Sequence, residues 1–153
     1  MIAIVMFFLQ GILELTGTVA FSLASARVPL LWGRIIAVGT SLTVIVYIVR
    51  SLQTTFGLHT VILLLLLAFF IRKTTYTTHV KSYMAAFLSI ITLTLLELII
   101  FKLYFLLTKS NPNEVISNVI LWKLLGLPQG ILLIIFAKLI TKYKKPNKDA
   151  WRI

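Results

Sequence analysis

The chain has 153 residues, 59% of them hydrophobic and only 12% charged, with a mean hydropathy of +1.02 and a formal charge of +11. An ordinary soluble domain carries roughly 25% charged residues, so there are too few polar groups here to cover a water-facing globule. The cations sit mostly at the ends of apolar runs, a pattern that orients membrane helices and accounts for the charge without a nucleic-acid partner. The lack of cysteine excludes disulfides, thiolate nucleophiles, cysteine zinc sites and palmitoylation.

The uninterrupted apolar run Val61 to Ile71, and Ile131 to Ile140 with Lys138 its one polar residue, fit neither a soluble helical stripe nor an alternating strand. The first span runs from about Ile2 to Ala24, long enough at 1.5 Å per residue to cross about 30 Å of hydrocarbon. Ala24-Ser25-Ala26 resembles a signal-peptide cleavage site. The stretch before it, however, lacks a basic start and contains Gln10 and Glu14, so it reads as a retained helix. After the break at Arg27-Val28-Pro29, a second span covers about residues 30–49, with Gly39, Thr40, Ser41 and Thr43 as helix-contact residues. A short Leu-rich span, residues 57–71, ends at Arg72 and Lys73, and Arg72 to Ser82 reads as a basic loop.

The fourth span, residues 83–107, carries Glu97, and Asn111-Pro112-Asn113 marks a turn. The fifth, residues 116–140, holds Pro128 and is expected to be one helix kinked there, since neither half would cross a bilayer alone. The expected fold is therefore all-α: a polytopic transmembrane bundle of about five helices over residues 1–141, followed by a basic cytoplasmic tail, 142–153. With the N-terminus outside, eleven Lys and Arg fall on the inner side (Lys148 and Arg152 among them). Four remain outside: Arg50, Lys102, Lys109 and Lys123. This bias favours a cytoplasmic C-terminus in an inner or plasma membrane.

A charge near the bilayer centre costs at least about 2.5–3.5 kcal/mol unless paired, neutralised or hydrated, which directs attention to Glu14 and Glu97. In this topology they lie at matched depths, about 18 Å and 15 Å from the outer ends of their spans. Gln10 is one turn from Glu14 and Thr94 one turn from Glu97, while Gln129 adjoins the Pro128 kink. With Arg50, Gln53, His59, Lys102 and Lys123 nearer the surface, they outline an outward-facing polar pocket with carboxyls at its floor and cations at its mouth. The expected ligand-binding set is Gln10, Glu14, Arg50, His59, Glu97, Lys123 and Gln129, with Pro128 as hinge.

Plainer readings stand beside this one. Both glutamates fit protonated packing groups equally well, Lys102 and Lys123 lie where such side chains snorkel to the interface, and His59 fits an interfacial polar residue. His59 and His79 fall on opposite sides, against a shared metal site. Gly126 and Gly130 form a Gly-xxx-Gly pair that can seat a helix or a second subunit. Trp32 and Trp122 read as interface anchors, and the basic tail fits either an orienting flank or an anionic-lipid contact. Phosphate loops, paired-histidine metalloprotease motifs and nucleophile elbows are absent from the sequence, so neither an enzyme nor a cofactor is expected.

Several segments resemble the N-terminal membrane domain of bacterial GHKL-type sensor histidine kinases, the group that includes AgrC-like peptide sensors. They are Gln10-Gly11-Ile12-Leu13-Glu14, Phe56-Gly57-Leu58-His59-Thr60, Leu96-Glu97-Leu98, and Glu114-Val115-Ile116-Ser117-Asn118 followed by Trp122 to Pro128. The resemblance implies a homodimeric two-component module that receives a signal and passes it to a cytoplasmic histidine kinase or response regulator. The chain departs from that pattern after Lys148, where five residues follow without a phosphoacceptor helix or ATP-binding fold. The resemblance therefore extends to signal reception only, in an isolated sensor domain or a stand-alone relative. The expected function is a sensor or receptor for a small molecule, peptide or lipid. A small transporter, transporter subunit or proton or cation pathway using the same glutamates is the alternative, and an assembly or immunity factor is a third reading.

Overall fold

The structure, a computed structural model, describes residues 1–52, 57–109, 111–146 and 149–151. Gln53, Phe56, Lys148 and Arg152 of the expectations above lie outside the described residues. The described chain forms helices α1 (Ile2–Ser25), α2 (Trp32–Ser51), α3 (Leu58–Thr74), α4 (His79–Thr108), α5 (Pro112–Ser117) and α6 (Val119–Tyr143). Strands are absent among the described residues, apart from one isolated bridge between Thr75 and Trp151. Four stretches, Ile2–Ser25, Trp32–Ser51, His79–Thr108 and Ile120–Tyr143, are long and apolar enough to cross a membrane.

Local chemistry explains where the helices begin and end. Thr78 caps α4 by accepting from the Lys81 N–H at 3.3 Å, so the helix starts at His79 rather than Tyr83. The helical α3 also runs on through Arg72 and Lys73 to Thr74, cations being well tolerated in a last turn. The expected basic loop of residues 72–82 thereby shrinks to 75–78. Asn111 accepts from the Asn113 N–H at 3.1 Å and Pro112 opens α5, so the expected turn is a six-residue helix. Asn118 then caps α6 through Leu121, and this helix starts at Val119 and continues unbroken through Pro128.

The helix at the centre is α1, buried all round from Leu15 to Ala24. Small residues allow its neighbours to approach closely, which is how apolar helices associate where water supplies no driving force. A Cβ on Gly39 of α2 would lie 2.9 Å from the backbone nitrogen of Thr16, and one on Gly11 would lie 2.7 Å from Cγ2 of Thr43. On the α6 side, a Cβ on Gly17 would lie 2.7 Å from the Gly130 oxygen, and one on Gly130 would lie 3.0 Å from the Glu14 nitrogen. These pairings have opposite order: α2 runs antiparallel to α1, and α6 runs parallel to it. The expected Gly-xxx-Gly face is therefore occupied by α1 of the same chain.

One cavity is shared by Glu14 and Glu97, and another by Ala26 and Met84, so α4 is also antiparallel to α1. Since α2 and α4 run the same way, α3 between them returns across the bundle, although its 17 residues span only about 25 Å. One end of the bundle thus carries Arg27, Arg34, Arg72, Lys73, Lys81, Lys138 and Lys142, and the other carries Arg50, Lys102, Lys109 and Lys123.

The end of the chain does not simply trail away as a tail. Ala150 and Trp151 are buried, the Trp151 indole N–H donates to the Pro29 carbonyl at 2.7 Å, and the Tyr76 N–H donates to the Ala150 carbonyl at 2.7 Å. Phe70 meets the indole edge-on at 6.4 Å, and the Arg34 guanidinium lies 5.3 Å from its ring centre. This contact ties the α1–α2 turn to the α3–α4 turn. A Trp151→Phe substitution keeps the ring but loses the hydrogen bond, worth about 1 kcal/mol. Trypsin cleavage after Lys144 in the folded protein should accelerate about fivefold, and an unchanged rate would show that the indole N–H does not hold this segment.

Candidate functional site

One face of α1 supplies Gln10 and Glu14, one turn apart, with the Gln10 amide donating to Oε2 of Glu14 at 3.2 Å. The same oxygen accepts from the Gln129 amide of α6 at 2.9 Å, 115 positions away in the chain. Gln129 is only 3% exposed. A Cβ at Gly126 would occupy the place of the Gln10 amide, so the glycine one turn before Gly130 makes room for this cluster. Two amides from two helices therefore converge on one carboxyl, and the Oε1 atoms of both glutamines are buried without a hydrogen-bond partner.

The cluster forms the floor of a cavity of about 180 Å³. Glu97 lines the facing wall from α4, with Thr94 one turn before it, and Thr43 of α2 and Leu63 of α3 complete the middle. Towards the mouth, Arg50 closes α2 and His59 opens α3, and the guanidinium Nη2 donates to the His59 Nε2 at 3.3 Å. A guanidinium has no acceptor, so in this contact the imidazole Nε2 must accept and its proton resides on Nδ1. Phe7 lies between the two cations, 5.6 Å from the Arg50 guanidinium carbon and 4.6 Å from the Lys123 Nζ, which gives each a cation–π contact. The wall by Lys123 is Trp122, stacked on Phe101 at 4.5 Å.

All seven expected ligand-binding residues, Gln10, Glu14, Arg50, His59, Glu97, Lys123 and Gln129, line this single cavity. Pro128 and Lys102 are exposed and do not line it. Trp122, expected at the membrane interface, is a cavity wall. Phe7 went unnoticed in the sequence, because a phenylalanine within an apolar run carries no contrast; its only signal is its place one turn before Gln10 and Gly11 on the Glu14 face. His59 and His79 stand at opposite ends of the bundle, and among the described residues no three His, Asp or Glu side chains gather where a metal could be held.

Chemically, the site is graded. Its floor offers carboxyl and amide oxygens to a hydrogen-bond donor or cation, and its mouth offers a guanidinium and an ammonium to an acceptor or anion. Its volume is close to that of a cavity that admits a single benzene, about 150 Å³, so it suits a very small molecule or one end of a larger one. Compared with protein-family models, with curated proteins and with solved structures, the chain has no match.

Proposed function

We propose that the chain is a five-span receptor module of an inner or plasma membrane, with its N-terminus outside and the Arg27 end facing the cytoplasm. Nine described cations at that end, Lys144 and Lys145 just after α6 included, against four at the other support this orientation. A small polar molecule, or the end of a peptide or lipid, would enter past Phe7 at the mouth flanked by Arg50 and Lys123, place a donor group against Glu14 and Glu97, and leave an acceptor group at the cations. The convergence of Gln10 and Gln129 on Glu14 carries this reading, because it couples α1 to α6 at the cavity floor.

A ligand that competes for the Glu14 carboxyl alters that coupling, and it shifts the bundle only by its difference in affinity for two helix arrangements. In α6, Pro128 leaves the Leu124 carbonyl without its usual donor, which gives the helix a place to bend beside Gln129. The output would reach a cytoplasmic histidine kinase or response regulator, with the chain acting as a homodimer, in keeping with the sensor-kinase resemblance.

Native mass spectrometry of the gently purified protein should reveal a retained small molecule, peptide or lipid. Glu14→Gln with Glu97→Gln should weaken its binding at least about tenfold, since each charged hydrogen bond contributes about 1.5–3 kcal/mol. Equal retention by the double variant would remove the cavity from the binding account.

A second reading, a proton or cation pathway, is favoured by the same two carboxyls lining one cavity. Carboxyl-dependent flux in proteoliposomes would support it, whereas ligand-dependent change without flux supports the receptor.

A further inference from the structure

A second cavity, of about 700 Å³, opens at the Arg27 end between the close of α1 and the start of α4. Its rim holds the exposed side chains of Arg27 and Lys81, and its body is an apolar stripe of α4: Met84, Leu88 and Ile91, flanked by Phe87. These four apolar side chains are between 39% and 65% exposed, so no described element of this chain covers them. No carboxylate lines the groove. The stripe follows helical spacing away from Lys81, and from Lys81 to Ile91 it extends about 15 Å, half of a hydrocarbon core of about 30 Å. Two cations at one end of an apolar groove one leaflet long match an acyl chain ending in a negative headgroup.

The backbone at Arg27 adds a second observation. Its φ is +60°, a left-handed conformation that glycine adopts freely and side-chain-bearing residues avoid. The turn closes α1 through the Arg27 N–H to the Ala24 carbonyl at 3.1 Å and the Val28 N–H to the Leu23 carbonyl at 2.9 Å, bonds that glycine would support equally well. An arginine stands where the turn itself would favour glycine, and its side chain is at the rim of the groove.

We propose that this groove binds one anionic phospholipid, its phosphate held by Arg27 and Lys81 and an acyl chain lying along Met84, Leu88 and Ile91. The site is separate from the Glu14 cavity, at the opposite end of the bundle, and separate from the basic segment that follows α6. Bound lipid bridges the α1–α2 turn and the first turn of α4.

The test is a titration of the full chain in detergent with phosphatidylglycerol and with phosphatidylcholine of identical acyl chains, counting bound lipid by native mass spectrometry. Each cation near an anionic headgroup contributes about fivefold, so wild type should prefer phosphatidylglycerol by about 25-fold. Arg27→Gly with Lys81→Gln should abolish the preference. Arg27→Gly alone should lower it about fivefold while leaving the thermal unfolding temperature unchanged or raised, which separates lost binding from lost folding. Lys144→Gln with Lys145→Gln should keep the preference, and glycerol phosphate, a headgroup without chains, should not displace the lipid. A preference that survives the Arg27 and Lys81 changes, or disappears with the Lys144 and Lys145 changes, overturns the assignment, as does displacement by glycerol phosphate.

Discussion

Gly17→Val should lower the stability of the bundle by about 3 kcal/mol, while the same substitution at Gly33 should leave it within about 0.5 kcal/mol of wild type. Both glycines are helical, and at both valine is the better helix former, so propensity predicts a gain in each case. Packing makes the difference. A Cβ at Gly17 would lie 2.7 Å from the Gly130 oxygen and 3.0 Å from the Leu133 Cβ, and backbone cannot move aside as a flexible side chain can. At Gly33 there is nothing within 4 Å of a Cβ. Valine at 17 would force α6 away from α1, opening the seam on which the Glu14 cluster depends. Thermal or denaturant unfolding in detergent reads both variants, and equal midpoints would rule out the close α1–α6 contact.

Glu14→Leu should be nearly as damaging, at about 3 kcal/mol, and Glu14→Gln much milder, at about 1 kcal/mol or less. Leucine fills the space but accepts no hydrogen bond, so the amide N–H groups of Gln10 and Gln129 lose their shared partner. Gln129 suffers most: it is almost wholly buried and its oxygen already has no partner, so its entire amide would be unsatisfied. A glutamine at 14 retains an oxygen with two lone pairs, and both donors keep an acceptor. The gap between the two variants isolates the hydrogen bonds from the volume of the side chain. Indistinguishable unfolding midpoints would show that the amide–carboxyl cluster contributes nothing to the seam.

The sites most legible in the sequence were those that contrast with their surroundings. Glu14 and Glu97 stand out because an ionisable group within an apolar run is costly, and cost is visible one residue at a time. Gln10 and Thr94 followed from helical spacing alone, and Gly126 and Gly130 declared a close approach without declaring its partner. Helix ends were less legible. They turn on single side-chain caps, Thr78 for α4 and Asn111 and Asn118 for α5 and α6, which compete with an apolar pattern that runs across them.

Taken by itself, the sequence determined that this is a chain of long apolar helices able to cross a membrane, and which of its buried groups are expensive to bury. Both follow from the affinity of each residue for its solvent, a property that adds along the chain. Tertiary structure alone decided that seven polar residues from five helices meet in one cavity, that α1 fills the Gly126–Gly130 face, that Phe7 sits between two cations, and that Trp151 returns to Pro29. Each of these is a contact between residues far apart in sequence, and its energy depends on the shape of both partners at once, which no single stretch of sequence contains.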